Sequence, residues 1–327
     1  MSQPRGSILL TGASGDLGSA IVSKIISAPE FRRYHGIYAV RNAGTPTPNL
    51  DTVLEKEVSL ASSTGSGDSY EKISLDLSQL DSVRTVAASI NHRVATGELP
   101  PIHGLDTAFV VNYLAQWLLV MLLLRSIDRD QGLVLWVSSF SHNTKDTRNV
   151  VIRCYHEDRY KTMISNDLEP ITKGTWSPNP SHSTSWTWVE GYRRYGSSKL
   201  CGVTMICNAA YNNIVLNNVS VLAIDPGSMG TGITRRSSSW FVRVVMFRLI
   251  IDLRHRHEKS SGDVISAALN SSPPPLSERP MSLYLDGSKR GEHSSEASDP
   301  LKGQVVWRDS VKYAHLKEGD TVLRNWK

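Results

Sequence analysis

The chain has 327 residues, of which 40% are hydrophobic, and a formal net charge of +5 at pH 7. A chain of this size and composition can bury the core of one large α/β domain, so no second domain is required. The positive charge raises the question of nucleic-acid binding, but the basic residues are scattered and lack an aromatic-lined patch. No nucleic-acid partner is therefore expected.

The cysteines and the apolar runs of the sequence indicate the cellular compartment and whether a membrane-spanning segment is expected. Cys154, Cys201 and Cys207 form neither a closely spaced metal set nor an even disulfide framework, which predicts no metal site and a reducing, cytoplasmic location. No signal peptide is expected, because a buried strand already begins at Ser7. The apolar run 118–124 is too short to span a bilayer and predicts a buried helix, so no transmembrane segment is expected.

The first element in chain order is a short apolar strand, Ser7 to Leu10, which runs into a glycine-rich turn and then a helix from Ser19 to Ile26. Such a turn lets backbone amides approach a pyrophosphate, whose negative charge the helix dipole favours. The alternative is an ordinary tight turn, but the flanking strand and helix favour a phosphate cradle. The residues assigned to it are Gly12, Ser14, Gly15, Asp16, Leu17 and Gly18.

The second predicted strand, 36–40, is followed directly by Arg41. In a dinucleotide site an acidic residue there accepts hydrogen bonds from the ribose hydroxyls of NAD, whereas an arginine pairs with the 2′-phosphate of NADP. Arg41 therefore indicates NADP(H) as the cofactor. The alternative is a solvated surface arginine.

A tyrosine and a lysine four residues apart, Tyr195 and Lys199, lie on one face of a predicted helix. The ammonium is expected beneath the phenol, where it lowers the pKa of Tyr195 toward working pH and makes it a proton donor. A serine hydroxyl at the end of the apolar strand 133–137, where Ser138 and Ser139 follow, could hydrogen-bond the substrate oxygen that Tyr195 would protonate. An isolated Tyr-x-x-x-Lys match would be a surface helix turn, but this context favours hydride-transfer chemistry.

These motifs together resemble the short-chain dehydrogenase/reductase family, and the match extends over most of the chain. The resemblance implies a doubly wound Rossmann-type α/β domain with a parallel sheet that binds NAD(H) or NADP(H), in agreement with the alternating apolar strands and amphipathic helices of residues 7–225. It implies that Ser139, Tyr195 and Lys199 are catalytic and that Ser138 is structural. Cofactor contacts are implied for Asp76, Leu77, Asn112, Tyr195, Lys199, Pro226, Gly227 and Thr231.

The fourth strand departs from the family pattern, because no part of the chain reproduces its Asn-Ala-Gly signature. Residues 100–105 resemble the beginning of that strand, while Asp106 onward resembles the middle of the next helix, so a truncated strand and a missing segment are predicted. In this register 109–119 is a long helix in which Asn112 anchors a proton-relay water. In an alternative register 107–112 is a strand that fills the sheet, because an empty centre would leave backbone groups unpaired.

An insertion at about 143–190 separates Ser139 from Tyr195 and is far longer than the usual connection of the family. Its charged first part, 145–161, predicts a short helix. Its tryptophans, which follow among Pro, Ser and Thr, predict either contacts to a bulky apolar substrate or simple loop packing.

Two further segments complete the single domain predicted for 1–327. A substrate lid is predicted at about 228–262, because its apolar part, 240–251, is suited to cover an apolar substrate; the alternative is contact with a membrane surface. From about 271 the composition predicts an irregular tail, in which 304–313 returns as a helix or packed segment.

The resemblance predicts an NADPH-dependent ketoreductase, or an alcohol dehydrogenase in reverse, acting on a medium to large hydrophobic molecule. Long insertions with this motif set resemble fungal short-chain reductases, many of which serve secondary metabolite biosynthesis, such as polyketide or terpenoid pathways. The alternative is a degenerate, non-catalytic family member that binds NADP without turnover. The sequence leaves the oligomeric state open, a homo-oligomer included.

Overall fold

The computed structural model describes residues 6–27, 34–64, 70–99, 102–106, 112–129, 132–178, 187–208, 219–227, 253–269 and 281–323. The strands among them are β1 (Gly6–Thr11), β2 (Tyr34–Val40), β3 (Tyr70–Ser74), β4 (Ile102–Asp106), β5 (Leu133–Val137), β6 (Ser220–Asp225), β7 (Met281–Asp286) and β8 (Lys289–Arg290). They form one sheet in the order β3-β2-β1-β4-β5-β6-β7-β8. Every neighbouring pair is parallel except β7 with β8.

Helices cover both faces of this sheet. They are α1 (Asp16–Ser27), α2 (Pro48–Thr64), α3 (Leu80–Ala95), α4 (Leu114–Leu123), α5 (Thr147–Val151), α6 (Glu169–Thr172), α7 (Thr187–Cys207), α8 (Leu253–Leu269) and α9 (Pro300–Ala314). One buried apolar cluster takes residues from α1, α2 and α8, and the other from α3, α4, α7 and α9. Parallel strands covered on both faces are the architecture predicted from the sequence, which is confirmed.

The order of the strands reverses between β1 and β4. From β1 the chain first builds outward through β2 and β3, and then it returns to place β4 on the other side of β1. In open α/β sheets, ligands bind at such a reversal, beyond the carboxyl ends of the strands. The glycine-rich turn after β1 therefore lies where a dinucleotide site is expected.

The fourth strand fills the centre of the sheet. β4 has five residues, as many as β3 and β5, and it pairs in parallel with β1 and with β5. Asp106 is its last residue, so the prediction that Asp106 lies within the following helix is wrong. The alternative prediction of a strand at 107–112 is wrong at Asn112, which lies in a turn; residues 107–111 lie outside the described residues. The gap that this strand was predicted to fill is occupied by β4, which pairs with the backbones of β1 and β5.

The tail contains regular structure at 281–290, where the prediction of an irregular segment from about 271 is wrong, while 291–299 has neither helix nor strand, as predicted, and 271–280 lies outside the described residues. β7 pairs in parallel with β6, and β8 folds back antiparallel to β7. Leu283 and Leu285 of β7 are buried, and this short apolar run was obscured by the polar composition around it. The helix predicted at 304–313 is confirmed as part of α9, which begins at Pro300 after the N-cap side chain of Asp299.

The described part of the insertion before residue 179 is folded against the core, to which it contributes buried apolar side chains. The short helix predicted within 145–161 is confirmed as α5. Trp176 packs edge-on against Tyr160, with ring centroids 5.5 Å apart, and its Nε1 donates a hydrogen bond to the Thr162 carbonyl at 3.2 Å. Trp176 therefore takes part in loop packing, while Trp186 lies outside the described residues.

The apolar run 118–124 belongs to α4 and the residue after it. α4 is buried, and Trp117 meets Trp307 of α9 edge-on, with ring centroids 5.5 Å apart. Among the helices of the described ranges, none combines the length and apolar character needed to cross a membrane. The apolar part of the predicted lid, 240–251, lies outside those ranges.

Gly18, in the first turn of α1, lets this helix pack closely on the turn after β1. A Cβ atom at Gly18 would lie 2.2 Å from the Gly12 carbonyl oxygen. We therefore expect Gly18→Ala to lower the free energy of unfolding by about 1–3 kcal/mol, the usual cost of overpacking. Urea unfolding measures the change. Ser23→Ala on the same helix is the control, and an equal loss in both variants would contradict the prediction.

Candidate active site

The glycine-rich turn is open at the amino end of α1. Gly12 has a φ of 66°, which suits glycine, and its carbonyl accepts the Gly15 amide at 3.0 Å. Gly12, Ser14 and Gly15 are exposed. An exposed turn without bulky side chains, at the positive end of a helix, fits the pyrophosphate of a dinucleotide.

The next two predicted cofactor contacts begin α1. The carboxylate of Asp16 accepts a hydrogen bond from the Asn49 side-chain amide at 3.3 Å. Leu17 is buried in the core, so only its backbone can serve a ligand at this turn. The turn thus offers mainly backbone groups, which is what a phosphate cradle requires.

Arg41 and Asp76 lie at the carboxyl ends of neighbouring strands, β2 and β3. Arg41 is exposed, as a residue that binds a ribose phosphate must be. Asp76 accepts hydrogen bonds from the Ser78 hydroxyl at 2.7 Å and the Ser78 amide at 3.0 Å. These bonds, and to a smaller extent the charge of Arg41, lower the pKa of Asp76. Its neighbour Leu77 is buried, and the adenine contact of both residues stays a prediction.

Ser139 and Tyr195 are brought together at the carboxyl end of β5. Ser139 follows this strand in extended conformation, with φ −162° and ψ 147°, and Tyr195 lies in the middle part of α7. Burial raises the pKa of Tyr195 to about 12; a hydrogen bond with the Ser139 side chain lowers it in part, and the charge of Asp225 raises it. The phenol is therefore protonated at neutral pH and can donate its proton.

Lys199 is buried one turn beyond Tyr195. Its Nζ donates to the Val137 carbonyl at 2.8 Å and lies 5.5 Å from the centroid of the Tyr195 ring, within the range of a cation–π contact. The prediction of a Tyr195 pKa near working pH is wrong for this structure, because burial raises that pKa more than neighbouring groups lower it. Burial is the largest cause of the shift, and the ammonium faces a backbone carbonyl at the end of β5.

His142 holds the segment that carries Ser139. Its Nδ1 lies 2.7 Å from the Ser139 carbonyl, and its Nε2 accepts the Ser294 amide at 3.2 Å. Burial lowers the pKa of His142 to about 4, so the ring is neutral at pH 7 and its Nδ1 carries the proton that Ser139 accepts. Ser138 is buried, and its amide donates to the Ile224 carbonyl at 2.6 Å, in keeping with the structural role predicted for it.

The structure describes three of the four other predicted residues, Pro226, Gly227 and Asn112. Pro226 and Gly227 follow β6 at the same edge of the sheet. Thr231 lies outside the described residues. Asn112 is half-buried in a turn two residues before α4 begins, so the prediction that it lies within that helix is wrong. Tyr113, next to it, occupies the N-cap position of α4, and the relay role of Asn112 stays a prediction.

Two polar residues at this edge, Asp225 and Arg148, were not predicted from the sequence. Asp225 is buried at the end of β6, and Arg148 of α5 faces it with Nη1 3.6 Å from Oδ2. A charged residue at the last position of an otherwise apolar strand was the signal that could have found Asp225.

Comparison with known proteins finds a relative of full length. The short-chain dehydrogenase iccH of Talaromyces variabilis is 33% identical over 373 residues, which cover 99% of this chain and 99% of the relative. Because the alignment is longer than the 327 residues of this chain, the relative has residues without a counterpart here. The chain is also similar to the WW domain-containing oxidoreductase of Pongo abelii, at 24% identity over 95% of this chain and 69% of that protein.

Solved structures agree in fold. The RhlG/NADP active-site complex of Pseudomonas aeruginosa has a TM-score of 0.53 and 13% identity, covering 87% of this chain and 95% of its own. No model of a known protein family matches the sequence. The full-length similarity to the Talaromyces protein nevertheless establishes the relationship: the chain belongs to the short-chain dehydrogenase/reductase family.

Proposed function

We propose that the protein is an NADPH-dependent ketoreductase of hydrophobic carbonyl compounds, and an alcohol dehydrogenase in the reverse direction. The observation that carries the proposal is the meeting of Ser139, Tyr195 and Lys199 at the carboxyl end of β5. Because the strands are parallel, this is the same edge of the sheet as the glycine-rich turn. A hydroxyl and a protonated phenol beside a buried ammonium suit proton donation to a carbonyl oxygen.

NADPH, when bound, would supply the reducing equivalent as a hydride for the carbonyl carbon. The glycine-rich turn would hold its pyrophosphate and Arg41 its 2′-phosphate. The RhlG structure, which is similar in fold, is a complex with NADP, and this supports NADP(H) as the cofactor. Pro226, Gly227 and Thr231 are proposed for the nicotinamide end.

Side chains of the protein would then bind and protonate the carbonyl oxygen of the substrate. Ser139 donates a hydrogen bond to the substrate carbonyl and holds it beside Tyr195. Tyr195 gives its phenolic proton to that oxygen, so the carbonyl becomes an alcohol and the tyrosine a phenolate. The ammonium of Lys199 would stabilise the phenolate and contact the nicotinamide ribose, and Asn112 would position a relay water that returns the proton.

An apolar segment and the cysteines support the proposed substrate class and cellular compartment. The apolar sequence at 240–251 supports a hydrophobic substrate, with a role in secondary metabolite biosynthesis as in many fungal short-chain reductases. All three cysteines are free thiols, which supports a reducing, cytoplasmic setting.

Tyr195→Phe tests the proton donor. The variant keeps the ring and the cofactor pocket, so NADPH binding should survive while turnover falls on the order of 10² to 10⁴ in rate. The assay follows NADPH oxidation with α-tetralone and a panel of other hydrophobic ketones, and fluorescence titration measures NADPH binding. Undiminished turnover would refute the assignment. A wild-type protein that binds NADPH but reduces no ketone would instead favour the degenerate, non-catalytic alternative.

Ser139→Ala tests the orienting hydroxyl. Its loss removes a hydrogen bond to the substrate oxygen, so we expect kcat to fall on the order of 10² to 10³ while the affinity for NADPH is kept. Ser138→Ala is the matched control, because the contact of Ser138 to Ile224 uses the backbone amide, which alanine retains. If both serine variants lose activity equally, Ser139 has no special role.

Arg41→Asp tests the choice of cofactor. Loss of a charge-assisted pair with the 2′-phosphate should weaken NADPH binding by about 1–3 kcal/mol and leave NADH binding nearly unchanged. Arg290→Asp makes the same change of charge on β8, at the opposite edge of the sheet. Titrations of both cofactors decide the matter. Equal affinities of the wild-type protein for NADPH and NADH would remove the basis for an NADP assignment.

A further inference from the structure

Asp225 is a buried carboxylate at the last position of β6, directly before Pro226 and Gly227. Its Oδ2 accepts the Phe140 amide at 2.9 Å, and its Oδ1 accepts the Gly227 amide at 2.9 Å. Phe140 is the residue after Ser139. One carboxylate thus joins the segment that carries Ser139 to the turn that follows β6.

Charged and titratable groups from three elements face this carboxylate. Arg148 of α5 lies 3.6 Å from it and also pairs with Asp146 at 2.8 Å and with Asp286, at the end of β7, at 3.1 Å. The tyrosines on which its charge acts are Tyr192 and Tyr195 of α7 and Tyr284 of β7. Asp225 is therefore both the anchor of two backbone segments and a charge beside the predicted proton donor.

We propose that Asp225 is a positioning residue of the active site, which fixes Ser139 relative to the Pro226–Gly227 turn only while its carboxylate is ionised. The inference rests on the proposed function of these residues. An ionised carboxylate has two acceptor oxygens, one for each amide. A protonated carboxyl group uses one oxygen as a donor, so it cannot serve both amides equally well.

The ionisation of Asp225 can be measured, because its pKa lies within the pH range of an activity assay. Burial raises its pKa to about 6; the Gly227 amide, the charge of Arg148 and the Phe140 amide oppose this, and the charge of Asp286 adds to it. The carboxylate is therefore ionised at pH 7 and takes up a proton as the pH falls through about 6. Turnover should decline over the same range.

Asp225→Asn removes both the charge and one acceptor. An amide offers a single acceptor oxygen, so one of the two backbone amides is left unpaired, and we expect kcat with α-tetralone and NADPH to fall on the order of 10- to 100-fold at pH 7. The decline of kcat below about pH 6 should disappear. A role in folding alone would lower the amount of active protein and leave the pH profile unchanged.

Two further variants keep Asp225 itself and move its pKa in opposite directions. Arg148→Gln removes the cation that favours the carboxylate, so the acid limb of the kcat profile should move to higher pH. Asp286→Asn removes a like charge from an exposed position, so the limb should move to lower pH with kcat at pH 7 unchanged. This pair decides the question even if Asp225→Asn does not fold. An acid limb at the same pH in both variants overturns the proposal.

Thermal unfolding tests the same carboxylate without turnover. The folded protein holds the Asp225 proton more tightly than the unfolded chain, so its contribution to stability is greatest below about pH 4 and falls as the pH rises to about 6. The difference in unfolding midpoint between wild type and Asp225→Asn should change over that range. If wild type reduces no ketone, the proposed function fails while this measurement still decides on Asp225. A constant difference would show that Asp225 does not change its ionisation over this range in the folded protein, and it would overturn the proposal.

Discussion

The close approach of α7 to the segment after β5 determines the geometry of the active site. A Cβ atom at Gly196 would lie 2.1 Å from the Tyr155 hydroxyl and 2.5 Å from the Ser141 carbonyl, so only glycine permits this packing. Gly196 follows Tyr195 directly, and Ser141 lies two residues after Ser139. The missing side chain therefore allows the phenol and the serine hydroxyl to share a hydrogen bond.

The insertion supports α7 from the other side. The Tyr192 hydroxyl donates to the Asn149 side chain at 2.7 Å, and Nε of Arg193 donates to the Cys154 carbonyl at 2.6 Å. These contacts are made by the turn of α7 that precedes Tyr195. The insertion, which was predicted to lie beside the site, thus helps to fix the position of Tyr195, because the bond from the buried Arg193 to the Cys154 carbonyl is charge-assisted.

The sequence predicted features that depend on residues close together in the chain. Apolar runs that end in a glycine-rich turn or in Arg41 mark strand ends, and parallel strands bring those ends to one edge without further information. The pairing of Asp225 with Phe140 could not be predicted in this way, since it joins the ends of two strands through a backbone amide. The pKa of Tyr195 was misjudged for a related reason, because burial is a property of the whole fold.

Two titratable groups, His142 and Asp225, hold the segment that carries Ser139, and they differ in what their burial costs in stability. His142 is buried in its neutral form, which costs little because both ring nitrogens have partners. Asp225 is buried as a charge, and its raised pKa means that ionisation opposes folding. Apolar contacts could have joined these segments at lower cost. A buried carboxylate at this place is better explained by the orientation of two backbone amides beside the reacting groups than by stability.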